Sequence, residues 1–374
     1  MPGKTVGKKN SAFRGQTETD KRFRLRFWML RFPDVSSIKD SMDMALISSL
    51  GEYLEWVASL DFRSTNGRLL FRGHSNKAYD ALPSVFRNSH WAEREDEMLK
   101  RLLATHPESF EKDATTLEKL VRAQHYGLPT RLLDVTRNPL VALFFACQTS
   151  KNDNRKRETT GEVVVFLPKP PRQKYFDSDT VSCLSNLCLL SDSQLKNVQT
   201  HVTKSREIAF DREPDDKAKF EETWVSEFNN HPDVKRLVHL VSIERPGFEA
   251  RIDPRDLSNV FAVVPKKLNA RISAQFGEFL VYGLRLRPED HFFVDDVEFE
   301  EVYVSGSRKQ RILDELRVLT IGRENLFPEI DKTAEQIATE LGPPPKSLEK
   351  KSPRVKRAQN RSPAPLTHPS SKQK

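Results

Sequence analysis

The chain has 374 residues, 37% of them hydrophobic and 30% charged, a balance that suits a globular core with polar appendages, in one large domain or two modest ones. Its net charge of +8 is uneven: residues 1–31 carry +7 and residues 343–374 carry +8, which leaves −7 on residues 32–342. No run approaches the roughly 18–20 apolar residues of a membrane-spanning helix, and the basic start lacks the apolar stretch of a secretory signal.

In chain order, residues 1–31 are a basic segment of weak pattern. Residues Leu46, Leu50, Tyr53, Leu54 and Val57 fall at helical spacing and predict an amphipathic helix over Leu46–Leu60. Arg68–Arg72 is a short strand, and Glu93–Leu103 and Thr116–Tyr126 are helices. Asn138 at the N-cap and Pro139 at the first helical position favour a buried helix over Leu140–Cys147, although its length also permits a strand. Runs rich in β-branched residues predict strands at Glu162–Leu167, Leu237–Ile243, Val260–Val264, Phe279–Tyr282 and Val297–Val304. The polar stretch 168–233 reads as a partly helical insertion, and Arg308–Leu319 and Ile330–Leu341 as closing helices. The sum is an α+β domain over residues 32–342 with a largely antiparallel, strand-rich second half. Residues 343–374, rich in Pro, Ser and Lys, bury too little apolar surface to offset ordering and are expected to be a disordered basic tail.

Three cysteines without CxxC spacing argue against a disulfide framework and point to a reducing, cytoplasmic setting. The nine histidines form no HExxH or HxH pair, so no metal is expected. Two basic ends on an acidic body suit contact with a polyanion; they also suit solubilising tails, or docking on an acidic partner.

Three segments carry polar groups in arrangements that suit a ligand. In Leu70-Phe71-Arg72-Gly73-His74-Ser75, a guanidinium stands beside a residue without a side chain, which lets a phosphate or ribose approach the backbone. The plain alternative is a strand-end Arg paired with a carboxylate and a Gly that turns the chain. In the stretch from Gln124 to Leu140, the groups of Gln124, His125, Thr130, Arg131, Asp134 and Thr136 crowd the approach to an apolar helix. A buried network with Arg131 and Asp134 as an ordinary pair would explain them too. In the stretch from Arg271 to Tyr282, Gly277 precedes the carboxylate of Glu278 at the start of an apolar strand. That carboxylate stands at a pocket rim or simply faces solvent.

Taken together and in order, the Phe-Arg-Gly motif, the block from Gln124 to Pro139 and the Arg-Ile-x-x-Gln-x-Gly-x-Phe block resemble the FRG domain family, over roughly Ser48 to Gly342. Their order also resembles that of ADP-ribosyltransferases, and Gly277–Tyr282 is similar to the strand that carries the catalytic Glu of the poly-ADP-ribosyl branch. The resemblance implies an ADP-ribosyltransferase-like core of antiparallel strands with surrounding helices, and NAD as cofactor. It implies that Arg72, Gly73 and His74 meet the diphosphate or adenosine ribose, with Thr130, Arg131, Asp134 and Thr136 shaping the pocket. Tyr126 or Phe144 would stack on nicotinamide. Glu278 would stabilise the ribose cation of the transition state, Gln275 would replace or assist it, and His74 or His125 would bind a ribose hydroxyl or act as base. The implied role is a toxin or phage-defence effector acting on nucleic acid, RNA ahead of DNA, under control of an antitoxin or similar regulatory protein. A non-catalytic nucleic-acid or nucleotide-binding module fits the same residues; a metal nuclease has no paired carboxylates to support it.

Overall fold

The computed structural model describes residues 45–60, 66, 68–149, 159–284 and 297–330, with isolated positions 334, 337, 338 and 341 beyond them. Two units separate at Glu329 and Ile330, and every element named below lies in the first. The basic ends 1–31 and 343–374 lie outside the described residues, as does most of the expected helix at Ile330–Leu341.

Strand β1 (Leu46–Ile47) leads into helix α1 (Leu50–Ser59), whose first N–H groups are capped by the Ser49 hydroxyl. Strand β2 (Leu70–His74) is followed by α2 (Glu95–Thr105) and α3 (Thr116–His125), the latter capped by Thr115. Strand β3 (Leu132–Thr136) runs into α4 (Pro139–Ala146), where the Asn138 cap and Pro139 sit as the sequence implies; the strand alternative is excluded. Strands β4 (Gly161–Pro168) and β5 (Gln173–Tyr175) come next.

The stretch with the weakest pattern is substantially helical, with α5 (Asp179–Asn186), α6 (Asp192–Arg212) and α7 (Lys217–Asn229). Helix α8 (Pro232–Glu244) contains Leu237–Ile243, which was expected as a strand. The correction has a local cause. His231 caps this helix, Pro232 opens it, and the buried residues are Val234, Leu237 and Val241, a helical rather than alternating spacing. Strand β6 (Val260–Val264), the short helix α9 (Ala270–Ala274), β7 (Gly277–Tyr282), β8 (Val297–Val304) and α10 (Lys309–Val318) complete the domain. No helix of the described residues is long and apolar enough to cross a membrane.

The strands form one eight-stranded sheet in the order β1-β8-β4-β2-β3-β7-β6-β5, antiparallel except for the outer pairs β1/β8 and β5/β6. Directly paired residues share a face. Phe71 therefore lies with Val165 and Thr136, and Leu132 with Val281. On this face two helical groups pack side by side. One places α2, α3 and α5–α8 over Leu132, Phe279, Val281 and Val263. The other places α1, α4 and α10 over Phe71, Val163, Val165 and Val302. The opposite face buries Leu70, Leu133, Val135, Val164, Phe166 and Leu280.

Close approach of α4 to the sheet depends on two glycines. A Cβ at Gly73 would lie 1.9 Å from the Ala142 carbonyl oxygen, and one at Gly161 would lie 2.3 Å from that of Ala146. The strand surface is cut away where one helical ridge lands. The three cysteines are free and buried, and burial pushes the Cys147 and Cys183 thiols up to about 12, far from reactive thiolates.

Candidate functional site

The sheet is nearly parted at its centre. Strand β2 pairs with β4 along all five of its residues but with β3 through the single pair Phe71↔Thr136. The two helical groups separate over the same seam, and a cleft of about 250 Å³ opens there. Its walls come from β2 (Phe71–Gly73), α3 (Val121, Gln124, His125), β3 (Asp134–Thr136), α4 (Val141, Phe145), the α9 region (Asn269 to Gln275) and β7 (Gly277–Phe279). All three polar segments singled out in the sequence thus meet at one place.

Arg72 bridges the seam. Its Nη1 donates to the Asp134 carbonyl oxygen at 2.6 Å. That carbonyl faces β2, because the Arg131 carbonyl and the Arg137 N–H bond towards Tyr282 and Phe276 on the β7 side, and backbone direction alternates along a strand. The guanidinium therefore replaces a missing ladder bond. Its Nε donates to His74 Nε2 at 3.0 Å, and His74 Nδ1 lies 3.0 Å from Glu162 Oε2. Burial lowers the Arg72 pKa from its ordinary value; Asp134 opposes this and Arg87 reinforces it. Gly73 does line the cleft, but its missing side chain is used by α4, not by an approaching phosphate. His74 is buried on Arg72 and Glu162 and does not line the cleft.

The middle block divides into a framework and a wall. Arg131, only 2% exposed, makes a forked pair with Glu95 (Nε to Oε1, 2.9 Å) and reaches the Tyr282 and Gly283 carbonyls. It pairs with Glu95 and not with Asp134. Thr130 is fully buried, its hydroxyl on Gln124 Oε1 and its N–H on Ser84. Neither lines the cleft. Gln124, His125, Asp134 and Thr136 do, and Asp134 is exposed. Tyr126 stands exposed outside the lining, edge-on to the His125 ring. Phe144 is buried in the core; its neighbour Phe145 takes the place at the wall. Thr136 ties the walls together, its hydroxyl donating to the Gln275 carbonyl at 2.7 Å while accepting from the Asn138 N–H at 3.0 Å.

In the third segment, Gln275 lines the cleft while its side-chain amide donates to the Leu326 carbonyl at 3.0 Å. The Arg271 guanidinium lies over the Phe327 ring at 4.9 Å, and no ion pair or hydrogen bond from its side chain is formed among the described residues. Glu278, opposite Val135 on β3, is 5% exposed and accepts from Arg68 Nη2 at 2.6 Å and Nε at 3.2 Å. It is neither solvent-facing nor free; it is a buried, paired carboxylate in the cleft wall.

Arg68, Glu162 and Arg271 escaped assignment from the sequence. Alternation would have placed Arg68 on the side of β2 that carries Arg72 and His74, since 68, 70, 72 and 74 share one face of an extended chain. Nothing in the sequence joins Glu162 to His74, because their contact depends on the β2/β4 register.

No curated protein and no solved structure matches the chain. A family model does match, over residues 67–155, a shorter span than the 48–342 suggested by the motifs, and the Arg271–Glu278 wall lies beyond it. The match, to the model of the FRG domain, runs from β2 through α4, the half of the cleft that carries Arg72 and Asp134.

Proposed function

We propose that the protein is an NAD-dependent ADP-ribosyltransferase-like effector, a toxin or phage-defence component, whose acceptor is a nucleic acid, RNA ahead of DNA. The observation that carries this reading is the meeting of Arg72, the Gln124–Thr136 block and Arg271–Glu278 around one cleft. Its groups are of the kinds a dinucleotide requires. Arg271 offers forked donors to a phosphate, and the Asp134 carboxylate offers acceptors to a ribose diol. At about 250 Å³ the cleft is slightly smaller than the roughly 300–1,000 Å³ of most small-molecule sites, so it suits one nucleoside half, with the remainder over the rim.

NAD bound there would supply a glycosidic bond whose cleavage leaves positive charge on the ribose. Glu278 sets a negative charge in the wall, and Arg68 holds that carboxylate in one orientation, so its placement costs no reorganisation during reaction. His125 is the lining imidazole available to take a proton from an acceptor. Gln275, anchored to the Leu326 carbonyl, fixes the end of β7 that carries Glu278. The acceptor class rests on the basic ends of the sequence.

The Arg68–Glu278 pair also supports a second reading, a nucleotide-binding module without turnover, in which the carboxylate is purely structural. Purified protein incubated with labelled NAD and separate pools of RNA, DNA and cell protein distinguishes the two. Label should enter RNA and be lost in Arg72→Ala and Glu278→Gln. Absence of label in every pool, with NAD binding intact in Glu278→Gln, would establish the binding module instead.

A further inference from the structure

Arg72, half-buried, differs from the buried arginines Arg68 and Arg131 in what it touches. Arg68 and Arg131 each grip a carboxylate directly. Among the described residues, Arg72 donates only to neutral acceptors, the Asp134 carbonyl oxygen and His74 Nε2, and no hydrogen bond from its Nη2 is formed. A guanidinium held this way keeps its charge uncancelled by contact, beside a cleft that it lines.

The state of His74 follows from the same geometry. An arginine Nε–H can only donate, so His74 Nε2 must present a lone pair to it. The ring proton then resides on Nδ1, 3.0 Å from Glu162 Oε2, and the imidazole is neutral. Glu162 is buried, and in the β2/β4 register it sits opposite His74. The chain Glu162–His74–Arg72–Asp134 carbonyl thus runs through three adjacent strands and ends at the seam. Negative charge from Glu162 reaches Arg72 only through a neutral ring, which orients the guanidinium without forming an ion pair with it.

We infer that His74 and Glu162 are positioning residues that aim the Arg72 guanidinium, which grips no carboxylate among the described residues, at the phosphate of a ligand in the cleft. This deepens the nucleotide reading of the same site and rests on it for the identity of the ligand. It also removes His74 from contact with a ribose hydroxyl: its two ring nitrogens are engaged by Arg72 and Glu162.

Two readouts test it. In protein carrying ¹⁵N-histidine, the His74 ring, assigned by its loss in His74→Phe, should show a protonated Nδ1 and a bare Nε2 at pH 6.5. An imidazolium or the opposite tautomer overturns the inference. In parallel, inorganic pyrophosphate is titrated calorimetrically into wild type, His74→Phe and Glu162→Gln, each checked for folding by circular dichroism and melting. Pyrophosphate should bind wild type and bind His74→Phe about tenfold or more weakly, the size expected when a hydrogen bond to a charged group is lost. Glu162→Gln, which keeps an acceptor for Nδ1–H, should lie between them and serves if His74→Phe does not fold. Equal affinity in wild type and a folded variant, or no binding by wild type, overturns it. Wild-type protein that binds pyrophosphate with the stated tautomer, yet is inert towards NAD, would defeat the proposed reaction and leave this inference standing.

Discussion

Arg68 and Glu278 stand 210 positions apart in the chain and meet as a buried ion pair, Nη2 to Oε2 at 2.6 Å, in the wall of the central cleft. Both side chains are nearly enclosed, so loss of one partner leaves an uncompensated charge with little access to water. Arg68→Ala is expected to destabilise the domain by about 3–5 kcal/mol in urea unfolding. Arg68→Met combined with Glu278→Leu should recover most of that loss, because two apolar side chains of similar size carry no desolvation penalty. If the single variant is as stable as wild type, the pair is not closed in solution.

Gly73 tests the contact between β2 and α4. A methyl group at this position would overlap the Ala142 carbonyl and the Ala146 backbone nitrogen, and neither is a side chain that can swing aside. Gly73→Ala should therefore cost about 3 kcal/mol or more, at or above the usual range for overpacking. Because Gly73 is beside Arg72, ligand affinity should fall with stability. A urea midpoint matching wild type would show that α4 can withdraw from the strand without loss.

Phe276, 57% exposed, holds a left-handed backbone conformation (φ 50°) between Gln275 and Gly277 in the cleft wall. A non-glycine residue in that region carries strain of order 1–2 kcal/mol, which Asn tolerates better. Phe276→Asn is expected to raise the melting temperature by a few degrees. If the ring also shields the mouth of the cleft, the same variant should bind nucleotide less tightly. Lower stability together with unchanged binding would assign the ring to folding alone.

His201 and His231 face one another at 4.4 Å between ring centroids, joining α6 to the cap of α8. Desolvation, followed by His201, lowers the His231 pKa from its ordinary 6.5, with Asp233 opposing and Lys204 adding to the effect. The unfolded chain therefore binds the proton more readily than the folded one. The contribution is complete above about pH 6.5, and stability falls as pH drops through that value towards the lower folded one. Urea midpoints between pH 7.5 and 5.5 should decline, and His231→Asn, which retains a capping side chain, should flatten the decline. Parallel slopes would assign the acid sensitivity to other groups.

Much of the fold was legible because it depends on local chemistry. Asn138-Pro139 announced α4, and Val260–Val264 and Val297–Val304 have strand character over their full length. Leu237–Ile243 misled for a local reason as well. Its β-branched residues outweighed a burial period that becomes visible only when Val234 and the Pro232 start are included. In the cleft, the residue types at Arg72, Gln124, His125, Asp134, Gln275 and Glu278 marked segments that the fold brings together.

The sequence by itself determined which segments are polar at the edge of an apolar element, since composition and capping act over a few residues. Only the tertiary structure decided what each polar group does. Arg131 flanks β3 and Arg72 lies within β2, yet one is sealed against Glu95 and the other spans a seam on neutral acceptors. Glu278 and Glu162 are both strand carboxylates, yet one pairs with Arg68 and the other with His74. The reason is register. The partners of the strand residues are chosen by how β2 aligns with β4 and how β3 aligns with β7, and one step of slip would turn Arg72, His74, Glu162 or Glu278 to the other face.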